Sequence, residues 1–321
     1  MKAIVQEGSG SADVLHLREI DKPVVTAGRV LVRVRAASVN ALDWHSVHGG
    51  KMIQAVSKLM RQPEQSVRGV DAAGDVEAVG EGVTQFAPGD EVFGGAPAAF
   101  AEYALARESG LVLKPGNLSF EQAATVGVAG RTALQGLRDH ARVKPGQRVL
   151  ISGAGGGVGT FAVQIAKALG AHVTAVTSTR NLDMIRSLGP DEVIDYTRED
   201  FTRRGERYDA VLDIAANRSL SDLRRVLKPN GTLVLVGAAK RGGAAIFTRI
   251  ISAFVRSRLL RQRIIFYVSK PTQNDLIVLK DLIEAGKICP AIDRTYPLSE
   301  GAEAVRYLGS GQARAKVVIT M

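Results

Sequence analysis

Cysteine is all but absent from this chain: its 321 residues include one, Cys289. A single thiol excludes any disulfide within the chain and any cysteine-rich metal cluster. Aromatic residues are also scarce, at 5%, with one tryptophan. That scarcity argues against a single-strand nucleic-acid binder, which needs stacking platforms set among basic residues. No uninterrupted apolar run reaches the roughly 18 residues of a membrane-spanning helix, so no stable membrane insertion is expected. The first residues enter an apolar strand (Ala3, Ile4, Val5) with no basic segment and cleavage site before it, which predicts a cytoplasmic protein. Acidic residues are outnumbered, 32 against 42 basic, for a net charge of +10. Because the basic residues are dispersed, the balance reads as a solvated surface that also favours a phosphate-rich ligand, and no nucleic-acid partner is expected.

Glycine, by contrast, is plentiful, and one cluster of it is ordered. Val149 to Ser152 form an apolar strand; Gly153-Ala154-Gly155-Gly156-Gly157-Val158-Gly159 follow, then a helical run from Thr160 to Lys167. Ala154, Gly156 and Gly159 have the spacing of the dinucleotide fingerprint. Ala154 is expected to permit the tight turn, Gly156 to let the backbone approach a pyrophosphate, and Gly159 to let the helix pack close to its strand. Gly157 and Val158 begin the helix whose free N–H groups would meet the phosphates. About 20 residues on, an NAD site carries an acidic residue at the tip of the next strand. Here the tip reads Thr177-Ser178-Thr179-Arg180-Asn181. Hydroxyls and a guanidinium suit a 2′-phosphate that a carboxylate would repel, so Ser178 and Arg180 predict NADPH as cofactor.

Hydrophobic content of 45% over this length supports one large or two ordinary domains. The first part is strand-rich, with valines alternating in Arg29-Val30-Leu31-Val32-Arg33-Val34-Arg35. Ser119 and Gln122 form a capping box for a helix running towards His140. From Val149 strands and helices alternate, with strands at 149–152, 172–177, 192–194, 210–213, 232–236 and 264–268. That alternation predicts a doubly wound parallel α/β sheet of the Rossmann type. The closing strand, 316–320, resembles the opening strands and is expected to return to them. The expected division is a discontinuous β-rich substrate domain, 1–121 with 287–321, around a cofactor domain, 122–286.

Several of these pieces together resemble one family. They are Ala37-Ser38-Val39-Asn40 with Asp43-Trp44, Phe86-Ala87-Pro88-Gly89-Asp90, Gly130-Arg131-Thr132-Ala133-Leu134, Val193-Ile194-Asp195-Tyr196, and Arg314-Ala315-Lys316-Val317-Val318-Ile319, besides the glycine-rich run. The chain resembles a zinc-free medium-chain dehydrogenase/reductase of the quinone oxidoreductase family, in the branch of mitochondrial reticulon-interacting reductases and plant alkenal and enone reductases. The resemblance implies a GroES-like β domain beside the Rossmann domain. It also implies NADPH-dependent hydride transfer to a small apolar electrophile, a quinone or α,β-unsaturated carbonyl compound. Zinc-dependent relatives carry a cysteine and a histidine where this chain has Asn40 and Val70, so no metal is expected.

The resemblance further implies that Asn40 orients a nicotinamide ribose or substrate carbonyl and that His45 donates a hydrogen bond or proton. Trp44 reads as pocket wall and Asp43 as a loop anchor. Thr132 and Gly237 match positions at the nicotinamide, Tyr196 one at the adenosine end, and Arg314 and Lys316 basic positions near the phosphates. Two apolar and basic segments, 52–61 and 240–263, read as walls or lids of an apolar pocket, the second alternatively as a membrane-surface helix. An enoyl-thioester reductase and a non-enzymatic NADPH-binding protein, RNA-binding included, stay open as alternatives. The resemblance also allows for a homodimer.

Overall fold

The N-terminal part builds strands because branched residues recur at every second position. The computed structural model describes residues 1–8, 10–48, 65–236 and 261–321. Gly237, segment 52–61 and residues 240–260 of the second apolar segment lie outside the described residues. The first strands are β1 (Lys2–Glu7), β2 (Leu15–Glu19), β3 (Arg29–Val39), β4 (Gln65–Val67), β5 (Asp71–Val79), β6 (Glu91–Gly95), β7 (Tyr103–Arg107) and β8 (Leu111–Leu113). Helix α1 (Ala41–Val47) follows β3 directly. On β3, Val30, Val32 and Val34 face a core with Val76, Val92 and Leu111, while Arg33 and Arg35 are exposed and pair with Glu77 and Asp75. This is the period-two burial expected of a sheet with one wet face.

The helix expected from Ser119 towards His140 is three pieces: α2 (Phe120–Ala124), α3 (Gly127–Gln135) and a π-helical turn, Gly136–Ala141. The capping box is present, with Ser119 Oγ accepting from Gln122 N and Gln122 Oε1 from Ser119 N. The first break has a local cause. Thr125 Oγ1 donates to the Gln122 carbonyl at 2.7 Å and Thr125 N to the same oxygen at 3.1 Å. That competition with the backbone ladder closes α2 after one turn.

The middle of the chain forms β9 (Arg148–Ser152), α4 (Gly157–Ala168), β10 (His172–Thr177), α5 (Leu182–Ser187), β11 (Glu192–Asp195), β12 (Tyr208–Asp213), α6 (Leu220–Arg225), β13 (Leu227–Val236) and β14 (Arg263–Tyr267). All pairings in this sheet are parallel, in the order β11-β10-β9-β12-β13-β14. The order reverses beside β9, which sets the crevice of a doubly wound fold at the carboxyl ends of β9 and its neighbours. The core on one face gathers Leu150, Val176, Ile194, Phe201, Val211 and Leu233.

The remainder is α7 (Gln273–Glu284), β15 (Ile292–Pro297), α8 (Gly301–Ser310) and β16 (Lys316–Thr320). β16 pairs antiparallel with the end of β3, matching Val317 to Val39 and Thr320 to Ala36. The chain divides into two compact units, Met1–Ala129 with Pro271–Met321, and Gly130–Lys270. These limits differ from the 122–286 expected for the cofactor domain. On the C-terminal side the reason is α7: Gln273 Nε2 donates to Leu111 O at 2.8 Å and Asn117 Nδ2 to Ile283 O at 2.9 Å, tying that helix to the β-rich unit. Among the described residues no helix is long and apolar enough to cross a membrane.

Leu150 is fully buried in β9, next to the crevice. Leu150→Ala is expected to cost about 2–5 kcal/mol through lost contacts and a residual cavity, read as a lowered thermal midpoint by circular dichroism.

Candidate functional site

At the end of β9 the chain turns sharply, and the residue that turns is Gly153, with φ of +87°. The sequence reading gave this task to Ala154. Only glycine adopts such a φ freely, so the turn falls one residue earlier, and Ala154 is buried beneath it with its N–H bonded to Val176 O. Gly159 fills the expected part: a Cβ there would lie 2.2 Å from Gly153 O and 2.6 Å from Ala154 O. Gly156 is the N-cap of α4 and, with Gly157 and Val158, is half-exposed. No side chain caps this helix and its first turn holds no acidic residue. Its first N–H groups and dipole therefore favour an anion.

The neighbouring strand ends supply the rest of this edge. Ser178 is half-buried at the start of a single 3-10 turn, Thr179–Asn181, and Arg180 is exposed within it. Tyr196 follows β11, is 43% exposed, and donates its N–H to Thr177 O at 3.0 Å. Unit Gly130–Lys270 thus brings the glycine-rich turn, Ser178, Arg180 and Tyr196 to the carboxyl ends of three adjacent strands. Thr132 lies in α3, its Oγ1 donating to Ser269 Oγ at 3.1 Å just past the end of β14.

Two residues at this edge escaped the sequence reading as site residues. Asp195 stands opposite Thr177 in register, so a carboxylate does reach the strand tip. It accepts from Thr179 Oγ1 at 2.6 Å and from Thr197 Oγ1 and N at 2.7 and 3.0 Å, with Arg198 at 3.6 Å. The Thr179 hydroxyl bond holds its pKa below the usual carboxylate value, so it is ionised and already engaged. The Asp-x-Thr spacing was the signal available in sequence. Asn181 is 6% exposed and crowds Gly155, where a Cβ would lie 2.2 Å from Asn181 Nδ2.

The β-rich unit contains a separate cluster of buried polar groups. Asn40 is the N-cap of α1 in a capping box with Asp43, whose Oδ2 accepts from Asn40 N at 2.8 Å. The Asn40 carboxamide is engaged at both ends. Its Oδ1 accepts from Lys316 Nζ at 2.6 Å, and its Nδ2 donates to Asp71 Oδ2 at 3.0 Å and Ser38 O at 3.2 Å. Lys316, 3% exposed, also donates to Val39 O at 3.1 Å. Asp71 Oδ2 further accepts from Val128 N at the start of α3, at 2.9 Å. The positions foreseen for Asn40 and Lys316, on substrate or cofactor, therefore differ from their partners inside this unit. A buried ammonium and a buried carboxylate each need such partners. His45 is half-buried, its ring edge-on to Trp44 at 4.9 Å; burial first, and then His48, lowers its pKa, so it is neutral at pH 7. Arg314 is exposed, with its backbone N–H on Asp293.

Family models for the alcohol dehydrogenase GroES-like domain and for zinc-binding dehydrogenase match residues 26–116 and 188–319. The chain is 32% identical to a chloroplastic quinone-oxidoreductase, QR1, of Triphysaria versicolor over 99% of its own length and 98% of the relative's. It is 33% identical to a chloroplastic NADPH-dependent alkenal/one oxidoreductase of Arabidopsis thaliana, over 99% and 79%. The solved quinone oxidoreductase of Coxiella burnetii superposes with a TM-score of 0.87 at 32% identity, covering 100% and 99% of the two chains. The chain belongs to the quinone oxidoreductase family of medium-chain dehydrogenases/reductases.

Among the described residues no three His, Cys, Asp or Glu side chains are grouped to hold a metal ion. Val70 has no donor, and the Asn40 amide is committed to Lys316 and Asp71. This donor set does not fit a catalytic zinc.

Asp43 is 3% exposed, and burial, with a smaller push from Asp71, raises its pKa to about 7 against the opposing Asn40 N–H, Lys316 and Arg68. The unfolded chain releases this proton near the ordinary aspartate value of 3.8, whereas the folded one keeps it until about 7. Stability from this group is thus present at low pH and lost as pH rises through that window. Asp43→Asn keeps an acceptor for the Asn40 N–H without the charge. The variant is expected to flatten the fall in unfolding free energy between about pH 4 and 7, gaining on the order of 2–4 kcal/mol at the upper end, in urea titrations.

Proposed function

We propose that this chain is a zinc-independent, NADPH-dependent reductase that delivers hydride to quinones or α,β-unsaturated carbonyl compounds. The observation that carries the reading is the carboxyl edge of the parallel sheet. There a glycine-rich turn, whose closest approaches leave no room for a Cβ, feeds an uncapped helix, beside a loop of hydroxyls and a guanidinium. The names of the relatives, which are quinone and NADPH-dependent alkenal/one oxidoreductases, support the same reading. The bound cofactor would supply the hydride.

The residues of the chain bind and orient. The N–H groups of Gly157, Val158 and Gly159 receive the pyrophosphate, and Gly156, its own N–H bonded to Gly153 O at 3.2 Å, lets the backbone come close to it. Ser178 and Arg180 read the 2′-phosphate, with Asp195 held away from it by Thr179, Thr197 and Arg198. Tyr196 lines the adenosine end and Thr132 the nicotinamide end. In the β-rich unit Asn40 acts through the backbone it fixes, setting the start of α1 and with it His45. His45, neutral at pH 7, offers a ring N–H to the carbonyl oxygen on which charge develops as hydride arrives. The thioester alternative draws support from a likeness to a solved enoyl reductase, CurK, at a TM-score of 0.84 and 25% identity.

The first test is NADPH consumption with a metal chelator present, against benzoquinone, phenanthrenequinone, a medium-chain 2-alkenal and an enoyl-CoA. Turnover insensitive to chelator on the first three is expected. Turnover confined to enoyl-CoA would replace the substrate class, and tight NADPH binding with no turnover would leave a binding protein. Loss of activity on chelation would overturn zinc independence. Arg180→Ala is expected to raise the KM for NADPH by about tenfold and leave that for NADH unchanged, since a charge-assisted phosphate contact is lost. Equal effects on both cofactors would remove Arg180 from the 2′-phosphate site.

A further inference from the structure

Tyr267, the last residue of β14, reaches helix α3 and donates its hydroxyl to the Thr132 carbonyl. Its phenol oxygen lies against the start of the π turn, Gly136–Ala141. Gly136 makes room for it: a Cβ there would lie 2.8 Å from Tyr267 Oη. The phenol ring is 8% exposed and packs against His140, with ring centroids 4.3 Å apart.

The residues that follow β14 hold the same stretch of helix. Ser269 Oγ accepts from Thr132 Oγ1 at 3.1 Å. Gln135 and Lys270 exchange two bonds, Nε2 to the Lys270 carbonyl at 2.7 Å and Lys270 N to Oε1 at 2.9 Å. These contacts lie past the carboxyl end of a parallel strand, the edge on which doubly wound sheets receive ligands. The result is a Thr132 whose backbone carbonyl and hydroxyl are both bonded to groups at or just past the end of β14.

We infer that Tyr267 is a positioning residue, whose hydroxyl bond to the Thr132 carbonyl fixes Thr132 for contact with the nicotinamide end of the bound dinucleotide. The inference rests on the NADPH reading above. Tyr267→Phe keeps the ring against His140 and removes only the bond to the Thr132 carbonyl, so the chain should fold. Gly136→Ala reaches the same end by pushing the phenol out.

The experiment compares binding of NADPH and of 2′-phospho-ADP-ribose, which lacks the nicotinamide, by calorimetry on the wild type, Tyr267→Phe, Gly136→Ala and Thr132→Val. Circular dichroism serves as the fold check. In folded Tyr267→Phe or Gly136→Ala, the Kd for NADPH is expected to rise by roughly tenfold, as for one mispositioned hydrogen-bonding group, with the Kd for the fragment unchanged. Thr132→Val should reproduce that split. A role in stability alone would move both ligands together or neither, and either result overturns the inference. So does a Thr132→Val variant that keeps full NADPH affinity. A wild type that binds neither ligand would instead overturn the NADPH reading, and the inference with it.

Discussion

A lysine ammonium buried inside the β-rich unit is the constraint around which that unit is arranged. An unpartnered cation there would cost several kcal/mol, so acceptors must be delivered to it. β3 provides the Val39 carbonyl and the N-cap of α1 the Asn40 amide oxygen, and Asn40 passes the connection to Asp71 at the start of β5. Asp71 in turn accepts from Val128 N as α3 begins. Four chain segments far apart in sequence are held in one register by groups that cannot be left unbonded. The carboxamide suits the middle place because it accepts at one end and donates at the other. A carboxylate at position 40 would meet Asp71 with like charge.

The parallel unit solves a different problem. Its carboxyl edge must present N–H groups and positive charge to an anion without closing them with its own side chains. The uncapped start of α4 and the glycines that bring it against the turn do so. Asp195, a carboxylate at these strand tips, is held in an ionised, engaged state by two threonines and an arginine. The same edge carries Tyr267, whose hydroxyl bonds the Thr132 carbonyl just before the π turn.

Much of this was legible in the sequence. The strand–glycine–helix run at 149–167, the missing acid after β10 and the alternation of strands and helices follow from local chemistry: periodicity, turn preference and charge. For the same reason the capping box at Ser119 and the return of 316–320 to a β texture could be read directly. Asn40, Lys316 and Thr132 were marked as positions, but their partners were not foreseeable. Lys316 meets Asn40 across 276 residues, and no local pattern encodes such a distance.

The sequence by itself determined the fold class, the glycine-rich turn and the charge character of the loop after β10, because each depends on neighbours within a few residues. Only the tertiary structure decided that Gly153 and not Ala154 makes the turn, that Asn40 is held between an ammonium and a carboxylate, and that the Tyr267 hydroxyl meets the carbonyl of Thr132 just before the π turn. Each of these depends on a group brought in by another strand. Burial then turns that meeting into an obligation, since a polar atom shut away from water must find its partner within the fold.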